Sequence, residues 1–155
     1  MSANPSLLHI LLIEDSRADA KIIERALREA NVPHRLTVLP DGQQALDFLA
    51  GLVHDPDAAS RTPDLILLDL NLPGLNGHQV LSRLKSDSIL RVLPVVVLTT
   101  SCREEDVIQT YRAGASTFIA KPAEYARYTE VVAALRTYWL DTALRVTNPL
   151  QRVPS

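Results

Sequence analysis

The stretch LILLDLNLPGLNG, Leu65 to Gly77, drives an unbroken apolar run into a carboxylate and then breaks it with a Pro/Gly-rich loop. Leu65 to Leu68 has the length and purity of a strand buried on both faces. Asp69 stands at its carboxyl end, with Asn71, Pro73, Gly74 and Gly77 in the loop behind it. A buried strand that ends in an acid raises the question of what the rest of the chain brings to that end.

Working outward, four more strands are predicted. Leu8 to Ile13 closes on Glu14-Asp15, and Leu36 to Leu39 closes on the Pro40-Asp41-Gly42 turn. The β-branched run Pro94 to Leu98 closes on Thr99-Thr100-Ser101, and Thr117 to Ala120 closes on Lys121-Pro122. Helical spacing fills the gaps. Ser16 and Asp19 form a capping-box pattern ahead of Ile22, Ile23, Ala26, Leu27 and Ala30, with Asn31 as the stop. Ala45, Leu46 and Leu49 make a second helix that Gly51 stops. Val80, Leu81 and Leu84 make a third, ending near Ser86. A fourth carries Val107, Ile108 and Tyr111 on its face, with Ser101 as cap and Gly114 as terminator. From Glu124 a longer pattern carries Tyr128, Val131, Val132, Leu135, Tyr138, Trp139 and Thr142.

Strands alternating with helices predict an α/β fold with a parallel sheet covered on both faces. His54 to Pro63 reads as a surface loop and Thr147 to Ser155 as a loose tail. The expected division is an N-terminal segment (1–7), one domain (8–142) and a C-terminal tail (143–155).

Composition narrows the function. The chain has 155 residues, 46% hydrophobic and 22% charged, with a formal net charge of -2, as expected of one globular domain. No basic footprint suggests nucleic acid, and no apolar run is long enough to span a membrane. The single cysteine, Cys102, excludes an internal disulfide and a cysteine-based zinc site, in keeping with a reducing cytoplasm. His9, His34, His54 and His78 share no ligand spacing and read as incidental.

Ligands of such sheets bind beyond the carboxyl ends of the strands. A flavodoxin-like order, 2-1-3-4-5, makes the first and third strands neighbours and gathers Glu14, Asp15 and Asp69. Clustered carboxylates repel unless protonated or neutralised, and a hard cation such as Mg2+ neutralises them. Lys121 adds positive charge and Thr99 a hydroxyl, while the loop lets Asn71 offer its backbone. An anion set among these groups suits phosphoryl transfer onto Asp69 as nucleophile.

LLIEDS, PDLILLDLNLPGLNG, LPVVVLTTS and YRAGASTFIAKP, in that order over about residues 8 to 140, resemble the receiver domain of two-component response regulators. The resemblance implies Asp69 as phosphoacceptor and Asp15 as direct magnesium ligand. Glu14 would ligate through water and Asn71 through its backbone carbonyl. Thr99 would be the switch hydroxyl, drawn inward by the acyl phosphate, with Phe118 following as switch aromatic. Lys121 would bind phosphate, ahead of a cis bond to Pro122. Phe118 departs from the tyrosine many receivers carry, and Ala123 from their bulky apolar residue. The long loop before Pro63 and the aromatic final helix are similar to stand-alone regulators paired with bacterial phytochrome histidine kinases.

That kinship implies a cytoplasmic switch, not an enzyme, with a histidine kinase as partner and no nucleic acid or membrane. Tyr128, Tyr138 and Trp139 are candidate anchors of a homodimer through the last helix. Two rivals stand beside it. One is a phosphorylation-independent scaffold. The other is a small aspartyl-phosphate hydrolase, which needs an acid two residues past its nucleophile, where this chain has Asn71.

Overall fold

The structure, a computed structural model, describes residues 7–142 and residue 150. Strands β1 (Leu8–Ile13), β2 (His34–Leu39), β3 (Leu65–Leu68), β4 (Val95–Thr99) and β5 (Thr117–Ala120) form one parallel sheet in the order β2-β1-β3-β4-β5. This is the expected doubly wound, flavodoxin-like arrangement. The helices are α1 (Arg17–Glu29), α2 (Gly42–Val53), α3 (Gly77–Ser86), α4 (Glu104–Arg112) and α5 (Tyr125–Arg136).

Period-two alternation splits the strand side chains between two cores. Leu11, Ile13, Ile66, Leu68, Val95 and Val97 face one way, toward α2 and α3 through Leu49, Val80, Leu81 and Leu84. Leu8, Ile10, Leu12, Leu65, Leu67, Val96 and Leu98 face the other, toward α1 and α5 through Ile23, Leu27, Tyr128, Val132 and Leu135. The three central strands are therefore buried at every position and almost wholly apolar, His9 and Thr99 being the exceptions, because neither of their faces meets water.

Several boundaries differ from the sequence reading. Strand β2 begins at His34, because Leu8 and His9 pair with His34 and Arg35 and lengthen it. Gly51 does not stop α2. The helix runs on to Val53, since Leu52 is buried in the core and Gly51 lies in open space. The capping box is reciprocal at Asn76 and Gln79 of α3. At α1, Ser16 Oγ accepts from the Asp19 amide, but the Asp19 carboxylate points elsewhere.

The face expected of α4 is rotated. Asp106 and Thr110 are its buried residues, whereas Ile108 and Tyr111 stand 43% and 47% exposed. Ser101 is not its cap, since Arg103 occupies that position. Among the described residues no peptide bond is cis, so Lys121–Pro122 is trans. The last helix continues past α5 as a wider π-wound segment, Thr137–Thr142. Leu150 falls in the stretch read as a loose tail, yet it is buried with the α2–α3 core. The remainder of that tail and residues 1–6 lie outside the described residues.

His9 is structural rather than incidental. It is buried in β1, with Nδ1 3.1 Å from the Thr62 carbonyl and Nε2 3.1 Å from Thr37 Oγ1. A carbonyl only accepts, so Nδ1 carries the proton and the Thr37 hydroxyl donates to Nε2. Burial pushes His9 below its ordinary value of 6.5, against the opposing pull of the Thr62 carbonyl. A depressed folded value means the unfolded chain takes up the proton first on acidification. The His9 contribution is thus complete above 6.5 and lost as pH falls through the lower folded value. The urea midpoint of the wild type should fall more steeply from about pH 7 to about pH 5 than that of His9→Gln. Parallel curves would refute this.

Candidate functional site

The acidic edge is positioned by backbone bonds that carry the sheet ladder one residue past the strands. The Glu14 amide donates to the Leu39 carbonyl, Asp69 to Ile13 and Lys121 to Thr99, at 3.0, 3.1 and 2.8 Å. Each functional residue thus stands where its strand stops, fixed by a neighbouring strand. Gly77 holds the far side of the loop. Its amide donates to the Leu70 carbonyl at 3.0 Å, and a Cβ there would meet the Asp69 carbonyl and Leu70 Cα. Only glycine permits that approach.

Asp69 is 4% exposed, and both carboxylate oxygens are held. Oδ1 accepts from the Thr99 hydroxyl at 2.9 Å and from the Asn71 amide at 3.0 Å; Oδ2 accepts from Lys121 Nζ at 2.9 Å. Burial alone would raise the Asp69 value, but the Asn71 amide, Lys121 and Thr99 outweigh it and keep the carboxyl ionised below its ordinary range.

Lys121 Nζ also donates to Glu14 Oε1 at 2.6 Å and to Asp19 Oδ2 at 2.7 Å. Its three protons are committed to three carboxylates, and the side chain is only 5% exposed. Burial works to lower its value, yet the bonds to Asp19, Glu14 and Asp69 prevail and hold it above the usual lysine range. Glu14 is the reluctant anion. Burial, with Asp69 adding to it, raises its value to about 7 despite the Lys121 bond.

Carboxylate oxygens of Glu14, Asp15 and Asp69 lie within 4.8 Å of one another, Glu14 and Asp69 buried and Asp15 exposed. An all-oxygen donor set with one exposed member suits a hard divalent cation that keeps several waters. The Asn71 side chain reaches the end of β4, its amide nitrogen 3.4 Å from Thr99 Oγ1 and 3.3 Å from Thr100 Oγ1.

The structure thus brings Glu14, Asp15, Asp69, Asn71, Thr99 and Lys121 together. Thr99 is fully buried and its hydroxyl donates to Asp69. Phe118 is half-buried against the α2–α3 core, its amide donating to the Tyr111 hydroxyl at 3.1 Å. Tyr128 is only 6% exposed and belongs to the α1–α5 core, which removes it from the interface candidates. Asp19 is the partner the sequence reading missed. Its place at the start of a helix reads as part of a cap, and only its one-turn spacing from Asp15 hints that it can face the same edge.

Residues 10–133 match the response regulator receiver domain. The chain belongs to that family. Response regulator Rcp1 of Synechocystis is 38% identical over 133 residues, covering 86% of this chain and 89% of the relative. The structure of the phosphorylated cyanobacterial phytochrome response regulator RcpA superposes with a TM-score of 0.78 at 38% identity, covering 90% of this chain and 99% of that one. The Mn(2+)-bound form of Rcp1 superposes with a TM-score of 0.76 at 36% identity, covering 89% and 98%. No helix of the described residues is long and apolar enough to cross a membrane.

The charge balance of this receiver's edge makes a prediction. Replacing Lys121 with Met leaves four acids facing one another without their buried cation. In EDTA this should cost about 3 kcal/mol of unfolding free energy. Adding Asp19→Asn should recover part of the loss by removing one repelling charge. Urea denaturation of the two variants checks both signs.

Proposed function

We propose that this receiver accepts a phosphoryl group on Asp69 from the phosphohistidine of a sensor histidine kinase. The Asp69 oxygen bonds to phosphorus as the N–P bond breaks, and the electron pair of that bond stays on the imidazole nitrogen. The observation that carries this reading is the fixing of both Asp69 oxygens, by Thr99 and the Asn71 amide on one and Lys121 on the other. Such donors, arranged beforehand, need no reorganisation when charge moves onto the transferred group. Lys121 then offsets charge on the phosphoryl oxygens and Thr99 hydrogen-bonds one of them.

Glu14, Asp15, Asp69 and the Asn71 carbonyl are proposed to hold Mg2+, in line with the Mn(2+)-bound relative. When bound, the ion supplies positive charge against the phosphoryl oxygens. The kinase is proposed to be of the phytochrome class, because the likeness to Rcp1 and RcpA covers nearly the whole of each. The protein works in the cytoplasm as a signalling switch rather than a turnover enzyme. Its output is a changed protein contact, with Thr99 and Phe118 as the moving parts.

A homodimer through the last helix completes the proposal. Tyr138 is 54% exposed and meets the Trp139 ring edge-on, with centroids 4.9 Å apart. Together with Val131, Ala134 and Ile119 they border an apolar cavity of about 440 Å³, which suits the side chains of a second copy.

Incubation with acetyl phosphate and Mg2+ should add the mass of one phosphoryl group. EDTA or Asp69→Asn should abolish the gain, and Thr99→Ala should slow it roughly tenfold or more. An undiminished gain in Asp69→Asn rejects the assignment. In sedimentation velocity, Tyr138→Glu should shift the protein toward monomer by about tenfold in dissociation constant.

A further inference from the structure

Asp106, in the first turn of α4, is buried and is the meeting point of three elements. Its Oδ2 accepts from the Ser101 hydroxyl at 2.5 Å and from Arg103 Nε at 3.2 Å. Its Oδ1 accepts from His78 Nε2, on the first turn of α3, at 3.2 Å. Nothing in the phosphoryl-transfer scheme uses it. Ser101 links it to the site, because the Ser101 amide donates to Thr99 Oγ1 at 3.3 Å and Thr99 Oγ1 donates to Asp69. The ring closes through α3, where Gly77, beside His78, bonds back to Leu70 next to Asp69.

We propose that Asp106 is a positioning residue for Thr99: by fixing Ser101 and tying it to His78, it aims the Thr99 hydroxyl at the phosphoacceptor. A threonine side chain chooses among a few staggered positions about Cα–Cβ, and the choice depends on what its oxygen meets; here the Ser101 amide and the Asn71 side chain donate to it. The two contacts are similarly long, but the Asn71 side chain is exposed whereas Ser101 is half-buried and tied to Asp106, so the Ser101 amide is the firmer restraint. That amide is only as fixed as its loop, and Ser101 stands outside any regular element. Its hydroxyl bond to Asp106 is what secures it.

His78 steadies the carboxylate from the far side. Its Nε2 carries the proton, since a carboxylate only accepts, while its Nδ1 is buried with no partner among the described residues. The bond to Asp106 is thus the whole of its polar engagement here. The Ser101 hydroxyl is the largest influence holding Asp106 below the ordinary carboxylate range, ahead of Arg103 and His78.

This inference rests on Asp69 being the acceptor, and the test separates the two. The rate of mass gain with acetyl phosphate and Mg2+ is compared in wild type, Asp106→Ala, Asp106→Asn, Thr99→Ala and Thr99→Ala/Asp106→Ala. Asp106→Ala should slow the gain about fivefold, and Asp106→Asn, which keeps one acceptor oxygen, should slow it less. In the Thr99→Ala background, Asp106→Ala should cost less than about twofold more, because the hydroxyl it aims is gone. Equal slowing in both backgrounds, or none in a folded Asp106→Ala, overturns the inference while leaving the acceptor assignment standing. No mass gain in wild type overturns both. Should Asp106→Ala fail to fold, Ser101→Ala is run through the same cycle, with the same outcomes deciding.

Discussion

One buried ammonium makes this site possible. Oxygens of Glu14, Asp15 and Asp69 lie within 4.8 Å of one another, where each ionised pair repels by about 3 kcal/mol at an effective dielectric of about 20. Asp19 brings a fourth acid to Lys121. One Lys121 charge cannot balance them all, and Glu14, raised to about 7 by burial first and by Asp69 in addition, is the acid that most readily holds a proton. A domain that tolerates such a deficit is ready for a cation, and the position of Lys121 decides where the deficit falls. The ammonium reaches Glu14 on β1 and Asp69 on β3 from the end of β5, across β4. The order β2-β1-β3-β4-β5 gives that span.

The purity of the strands follows from the same requirement. A carboxylate is held to a few tenths of an ångström only if its backbone cannot shift. Leu65 to Leu68 are buried on both faces, and Ile66 to Leu68 are paired to both neighbouring strands. The loop beyond them is pinned by the close approach of Gly77 and by Leu70 and Leu72, which are buried in the core. Rigidity before Asp69 and close backbone approach after it answer why an apolar strand runs into an acid and then breaks.

What the sequence displays and what it hides divides along physical lines. The sheet, its order and the edge residues Asp15, Asp69, Thr99 and Lys121 were legible, because burial on two faces writes an unmistakable apolar run and leaves the functional residue at its end. Helix limits were less legible where tertiary burial overrode a local signal, as at Gly51, which the packing of Leu52 carries the helix past. Asp19, Ser101 and Asp106 were misread or passed over for one reason. Each sits where a helix-start residue is common, and such a polar side chain bonds its own backbone or a distant partner with equal ease. Which it does is decided by strands that sequence spacing does not show. Tyr128 erred the other way, an aromatic on a final helix that the α1 packing had already buried.

The attachment of α4 is the remaining consequence. Helices α1, α2, α3 and α5 bury Leu, Ile or Val side chains against the sheet, whereas α4 buries Asp106 and Thr110. Apolar contact weakens gradually when a helix slides and takes no notice of charge. Hydrogen bonds weaken steeply with distance and angle, and one joined to a carboxylate responds to what that carboxylate meets. The polar contacts of α4 run through Ser101 to Thr99 and so to Asp69, while its apolar Ile108 and Tyr111 stand outside. A change of charge at Asp69 therefore has a path to the one helix whose seating depends on polar geometry, and that helix carries exposed side chains a partner can read.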